Sequence, residues 1–268
     1  IANIVLFNEV SNTTINYQAS TDYYADHTSK PGGSISYAGQ AGDLNMIVSA
    51  SAVPGYRYTE MREKSILPGE VPNDFIGQTQ IVDNATYTLS TNLDYQFSQK
   101  SSARLNALLA EDDNPTEVDR LTVDLKGEGF KHSLEREDNP ATNTNWEVGG
   151  DYEFRRNNGD RFKILGIANK NDTTNTRERW NVFEDLAEQK NLFLDTASTL
   201  EERIVRGSYT TDLISGQSVE FGAERSQTVL DSKLALGILS SMNPGHVAYG
   251  GLTPVDIPNA NTRVEEIR

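Results

Sequence analysis

Apolar and polar side chains alternate with a period of two along most of this chain. Over residues 85–98 the odd positions read Ala85, Tyr87, Leu89, Thr91, Leu93, Tyr95 and Phe97, and every even position is polar. A β-strand throws successive side chains to opposite faces, so the run predicts a strand with one apolar and one polar face. Trp146, Val148, Gly150, Tyr152 and Phe154 keep the same beat, as do residues 13–23 and 204–213. Weaker alternation marks residues 44–53, 103–110, 162–169 and 219–225.

The connections come in two kinds that take turns. Short polar turns rich in Gly, Asn, Asp and Ser lie at residues 39–43, 98–101, 157–160 and 215–218, and suit tight hairpins. Long polar stretches at 54–80, 112–143, 171–198 and 239–261 read as loops with strand extensions at their ends. One of them breaks the beat. Val182, Phe183, Leu186, Lys190 and Leu194 fall on one side of a helical wheel, so a short helix is expected within residues 181–194.

Rings gather beside the short turns. Tyr37, Tyr95, Phe97, Tyr152, Phe154 and Tyr209 precede one closely, and Phe162 and Phe221 follow one. If all short turns share a rim, these rings form a belt at one height, as bilayer-interface girdles do. The longest runs also reach or exceed the roughly 9–11 residues that a strand needs to span a bilayer, against about 5–6 for an ordinary globular strand. Period alone does not separate a sandwich from a barrel, but segregated loop lengths, ring placement and strand length favour the barrel. Its lumen face would carry Asp94, Glu147, Asp151, Glu153 and Arg155.

Composition narrows the function. With 24 Lys+Arg against 39 Asp+Glu the formal charge is −15, which argues against nucleic acid as a partner, since phosphate binding needs a basic surface. The absence of Cys removes disulfides, thiol catalysis and zinc ribbons. No run of about 18 apolar residues exists, so no transmembrane helix is expected; a transmembrane β-barrel passes that test.

The opening Ile1-Ala2-Asn3-Ile4-Val5-Leu6-Phe7, the stretch Pro54-Gly55-Tyr56-Arg57-Tyr58-Thr59-Glu60 and the hairpin built from Trp146–Phe154 and Phe162–Leu165 carry a family resemblance. So does the closing Thr262-Arg263-Val264-Glu265-Glu266-Ile267-Arg268. With the rhythm of the whole chain, they resemble the TonB-dependent receptors of Gram-negative outer membranes. The resemblance implies an all-β antiparallel transmembrane barrel of about 22 strands around a plug. Residues 1–8 would be the C-terminal stub of the plug, and residues 9–268 the first part of the barrel, about ten strands. The chain would then be a piece of a longer protein, and its sheet an open, curved one.

The function implied is energised uptake of a scarce nutrient such as a ferric siderophore, in the cell outer membrane, without catalysis or a bound cofactor. The implied partners are outer-membrane lipid, the small-molecule substrate, and the TonB energy-transducing complex acting through the plug. An anionic iron chelate calls for Arg and aromatic side chains at the lumen mouth, and the available set in outer stretches is Tyr56, Arg57, Tyr58, Arg177, Arg179 and Trp180. The alternatives are a soluble or surface β-sandwich used for adhesion or binding, and a small complete outer-membrane barrel acting as porin or enzyme.

Other chemistry is sparse. His27, His132 and His246 are far apart in the chain and read as solvated loop residues. The acidic runs at 111–114 and 169–172 lack the spacing of a calcium loop, and no metal site is expected. No nucleophile elbow, zinc-protease helix motif, P-loop or dinucleotide fingerprint occurs.

Overall fold

The computed structural model describes residues 13–126, 129–214, 217–241 and 245–268, with the side chains of 213 and 214 excepted. The expected plug stub, residues 1–8, lies outside the described residues. The rest is one antiparallel sheet. Its strands are β1 (Thr14–Tyr23), β2 (Ser29–Ala41), β3 (Leu44–Leu67), β4 (Val71–Ser98), β5 (Ser101–Asp113), β6 (Thr116–Asp124), β7 (Lys131–Asn139), β8 (Ala141–Arg155), β9 (Arg161–Val182), β10 (Glu188–Ile214), β11 (Gln217–Ile238), β12 (Thr253–Pro254) and β13 (Asn261–Ile267). A 3-10 turn, Val247–Tyr249, sits in the last long connection.

Thirteen strands make ten lines, the number the sequence suggests. β5 and β6 pair with consecutive stretches of β4 in one unbroken register, and β7 and β8 do the same along β9. Each line is interrupted only where proline withholds a backbone N–H, at Pro115 and at Pro140. The freed carbonyls still accept bonds from the flanking strands: Asp83 N–H donates to Pro115 O (3.2 Å) and Thr176 N–H to Pro140 O (3.0 Å). β12 and β13 likewise share one line along β11. The sheet is a meander that does not close, with β1 and the β12/β13 line at its two ends.

Two sequence expectations are corrected. The stretches 54–80, 112–143 and 171–198 are not loops but strands continuing to tight tips, so β3, β4, β9 and β10 run to 24, 28, 22 and 27 residues. There is also no helix within 181–194. β9 ends at Val182, a turn closes with Phe183 N–H bonded to Ala187 O (2.9 Å), and β10 starts at Glu188. Leu186 there has φ +63° and is 79% exposed, which no packed helix face allows.

The two faces differ as the alternation predicts. One face, here called A, holds Tyr87, Leu89, Tyr95, Leu105, Leu109, Trp146, Val148, Tyr152, Phe154, Phe162 and Ile164, each 37–53% exposed. The opposite face, B, presents small polar side chains such as Thr86, Thr88 and Ser90, which are half-buried. Large rings standing more open than small hydroxyls is the mark of a convex face A and a concave face B. Buried apolar side chains among the described residues are only Val118, Val229 and Leu252, so no second layer covers the apolar face.

The apolar band on face A slopes across the strands. Leu44, Tyr95, Ala103, Tyr152, Ile164, Gly207 and Ala223 form one cross-strand row. That row starts at the first residue of β3 yet meets β11 six residues beyond its start at Gln217, after six strand steps. If the short turns share one rim, about 3.3 Å per residue against about 4.8 Å per strand gives a tilt of about 35°. The upper edge of the band slopes the same way. On β5 and β8 it lies at Leu109 and Trp146, which share a row. On β9 to β11 the apolar run stops at Ala168, Val205 and Ala223, below Lys170, Arg203 and Arg225. Between the edges lie eight residues on β8, Phe154 to Trp146, and ten on β4, Phe97 to Tyr87, or about 22–27 Å measured across the tilted band; on β9 the run is six, Phe162 to Ala168.

Rings line the lower edge on β4, β8 and β9. Phe154, Phe162, Tyr209 and Phe221 share one row, so Tyr209 and Phe221 stand farther from their short turn than Phe154 and Phe162 do from theirs. Phe97 packs edge-on to Tyr95 and Tyr152 with centroids 4.7 and 6.1 Å apart. Tyr37 starts higher on β2, but its ring lies over Gly39, where any Cβ would stand 2.7 Å from the tyrosine oxygen.

Candidate functional site

Beyond the band, the concave face carries a cluster of charges on β6, β7 and β9. Gln78, Arg120, Glu135 and Asn181 form one cross-strand row, and Val118, Glu137 and Arg179 the adjacent one. Glu137 sits at the centre, only 4% exposed. Arg177 grips it with two parallel bonds, Nε to Oε2 (2.9 Å) and Nη2 to Oε1 (2.7 Å). Arg120 Nη1 donates to Glu137 Oε1 (3.3 Å) and Glu135 Oε2 (3.0 Å), and its Nε to Gln78 Oε1 (3.0 Å). Arg179 Nε stands 3.6 Å from Glu135 and donates to Asn191 Oδ1 at 2.9 Å.

Antiparallel pairing is what assembles this group. Side chains directly opposite one another share a face, so residues far apart in sequence meet at about 5 Å between Cβ atoms. Burial pushes the Glu137 carboxyl up, but the hydrogen bonds from Arg177 and the charges of Arg177, Arg120 and Arg179 outweigh it and hold the group below the ordinary glutamate value. Arg177 is raised, chiefly by its bonds to Glu137. Three guanidiniums against two carboxylates leave one net positive charge on a strongly acidic chain. Asn139 Oδ1, two residues along β7 from Glu137, is buried with no hydrogen-bond partner. The cluster can therefore receive an anionic or polar group from the concave side.

The six residues singled out from sequence divide between the faces. Arg57, Arg177 and Arg179 lie on the concave face, while Tyr56, Tyr58 and Trp180 lie on the convex one. Tyr56 donates its hydroxyl to Asp26 and stacks on Tyr24 with centroids 5.0 Å apart. That bond to Asp26 raises the Tyr56 hydroxyl and lowers the Asp26 carboxyl. Tyr58 donates to Glu60 (3.0 Å). Trp180 is covered by the Arg136 guanidinium (4.6 Å) and the Lys190 ammonium (5.1 Å), which are themselves paired to Glu188 and Glu178. The structure thus brings Arg177 and Arg179 together and adds Arg120, Glu135 and Glu137, which sequence reasoning missed. It does not bring the three rings to them.

Among the described residues no three His, Cys, Asp or Glu side chains come together as metal ligands. No family model, no curated protein and no solved structure matches the chain.

Proposed function

We propose that the chain forms part of an outer-membrane β-barrel that imports a nutrient, of the TonB-dependent receptor kind. The observation that carries the reading is the unpartnered apolar band. A single-layer sheet with no core leaves large side chains in water unless something apolar covers them. The rim of short turns and the upper edge of the band both slope across the cross-strand rows in one direction, the rim by an amount equal to a strand tilt of about 35° and the upper edge more steeply. That tilt, and the band's height of about 22–27 Å on β4 and β8, agree with the roughly 25 Å apolar belt and 35–45° tilt of transmembrane barrels. A planar slab produces such an edge, and lipid is the planar apolar slab available to a protein. A second protein sheet would cover whole strands, not a sloping strip.

The polar concave face then lines a lumen, and the arginine cluster stands about 25 Å beyond the band at its mouth, counted from Trp146 to Glu137 along one line of strand. Energy coupling through a plug, uptake of a ferric siderophore or similar nutrient, and residence in the outer membrane complete the proposal.

The chain has no cysteine, so single cysteines report its topology cleanly. Glu70→Cys at the tip between β3 and β4 should react with a membrane-impermeant maleimide on intact cells. Asn158→Cys in the short turn between β8 and β9 should react only after the outer membrane is opened. Equal labelling of both, or a soluble protein, would sink the barrel reading. Uptake of the nutrient that persists after the proton-motive force is collapsed would sink the energised-receptor reading alone.

A further inference from the structure

The concave face carries a second feature, below and beside the arginine cluster. Thr86, Asp112, Asn143, Thr173, Ser198, Ser232 and Thr262 lie in one cross-strand row over seven neighbouring strands, β4 to β13. Six of the seven are hydroxyl or amide side chains, and the one charge, Asp112, is held by Thr86 Oγ1 (2.7 Å) and Asn143 Nδ2 (3.4 Å). Thr173 continues the chain of bonds to Asn143 Oδ1 at 3.0 Å. The flanking rows add Asn84, Asn114, Asn145 and Asn175, none of whose side-chain amides has a hydrogen-bond partner among the described residues.

Two cavities open along this row and meet at Thr173. One, of about 300 Å³, is lined by Asn84, Thr86, Asp112, Asn143 and Asn175. The other, of about 360 Å³, sets the hydroxyls of Thr196, Ser198, Ser232 and Thr262 beside the apolar side chains of Leu234 and Ile257. Every ring carried by a strand belongs to face A, so nothing on this track offers a stacking surface.

We infer that this row is a binding track for a neutral polyhydroxyl chain, an oligosaccharide. The inference rests on the barrel reading for its direction but not for its chemistry. Paired amide and hydroxyl groups that both donate and accept match vicinal sugar hydroxyls, and an amide covered by a ligand and left unpaired penalises ligands that lack them. A single carboxylate held by neutral donors repels an anionic chelate and is no metal site by itself. The track is long: six steps of about 4.8 Å make about 29 Å. Because rows are inclined to the band by the strand tilt, it climbs about 17 Å from Thr86, at the edge of the band, to Thr262 outside it. In a barrel it is a ramp from the mouth toward the lumen.

The test uses isothermal titration of the detergent-solubilised full protein with maltohexaose, cellohexaose and chitohexaose, and with ferric citrate as the anionic probe. One of the neutral hexamers should bind at least tenfold more tightly than its disaccharide. The triple variant Asn143→Leu, Thr173→Val, Ser198→Ala should lose that binding at least tenfold. Thr144→Val with Thr199→Val is the matched control. These two hydroxyls lie on the convex face of β8 and β10, outside both cavities, and their loss should leave affinity unchanged. Binding of none of the hexamers, equal loss in both variants, or ferric citrate binding that depends on the same row would overturn the track. Sugar binding by a protein that fails the cysteine-topology test would instead retain the track and reject the membrane barrel.

Discussion

A pair of arginine substitutions on one cross-strand row tests the tilted band. Leu105 on β5 and Val205 on β10 share the row Leu93, Leu105, Gly150, Gly166, Val205, Arg225. Were the strands upright, the two would sit at the same depth. With a tilt of about 35°, three strand steps of about 4.8 Å raise Val205 about 8 Å above Leu105. Leu105 then lies near the middle of the band and Val205 close to its upper edge, next to the native Arg203 and Arg225. An arginine on the lipid face costs about 2–4 kcal/mol at the midplane and about 0–1 near the interface. Leu105→Arg should therefore destabilise the protein by about 3 kcal/mol and Val205→Arg by about 1 kcal/mol, a difference of about 30-fold in the folding equilibrium. Guanidinium unfolding of the protein refolded into phospholipid vesicles measures both. Equal costs would refute the tilt, and two negligible costs would refute lipid as the covering phase.

Three further outcomes follow from the charged groups and the rim. Glu137 is held below its ordinary value in the folded protein, so its contribution to stability is present above about pH 4.3 and is lost as pH falls through the lowered folded value. Glu137→Gln should flatten that acid limb and lower neutral-pH stability by about 1–3 kcal/mol, because Arg120 and Arg177 keep their charge without a central partner while remaining partly open to water. Asp160 accepts bonds from Thr211 (2.7 Å), Tyr209 and Asn158 (2.6 Å), with Thr211 the largest cause of its lowered carboxyl value. Asp160→Ala should loosen the β8–β9 turn, read as faster amide exchange at Gly159 and Arg161, and faster exchange should also appear in the wild type below the carboxylate range. Pro140→Thr restores a backbone donor where the β7–β8 line is interrupted, and slower exchange in its flanks should follow; no change would mean that the gap has another cause.

The alternation reveals the strands inside the band because only there do the two faces meet different surroundings. Beyond it both faces of β3, β4, β9 and β10 meet water, the apolar signal fades, and the same strands read as polar loops. The false helix has a local cause. Between Lys190 and Leu192 the pairing of β10 with β9 shifts by one residue, and a five-residue turn precedes it. Val182 and Lys190 therefore lie on the convex face, Leu186 in the turn and Leu194 on the concave face, so their spacing of four imitates a helical face that the chain does not form.

The divided site is legible in principle. Arg57 lies between Tyr56 and Tyr58, and Arg179 beside Trp180, so in a strand each arginine must point away from its aromatic neighbours. Once these stretches are recognised as strands, parity alone excludes the convergence of all six on one face. Arg120, Glu135 and Glu137 are harder to find. Their meeting depends on the register of the β6–β7 hairpin, and a shift of one residue in that hairpin would send the two glutamates to the opposite face from Arg120. Residue types alone name candidates for a charged cluster. On a single-layer sheet, parity decides which of them share a face, and register decides which of those touch.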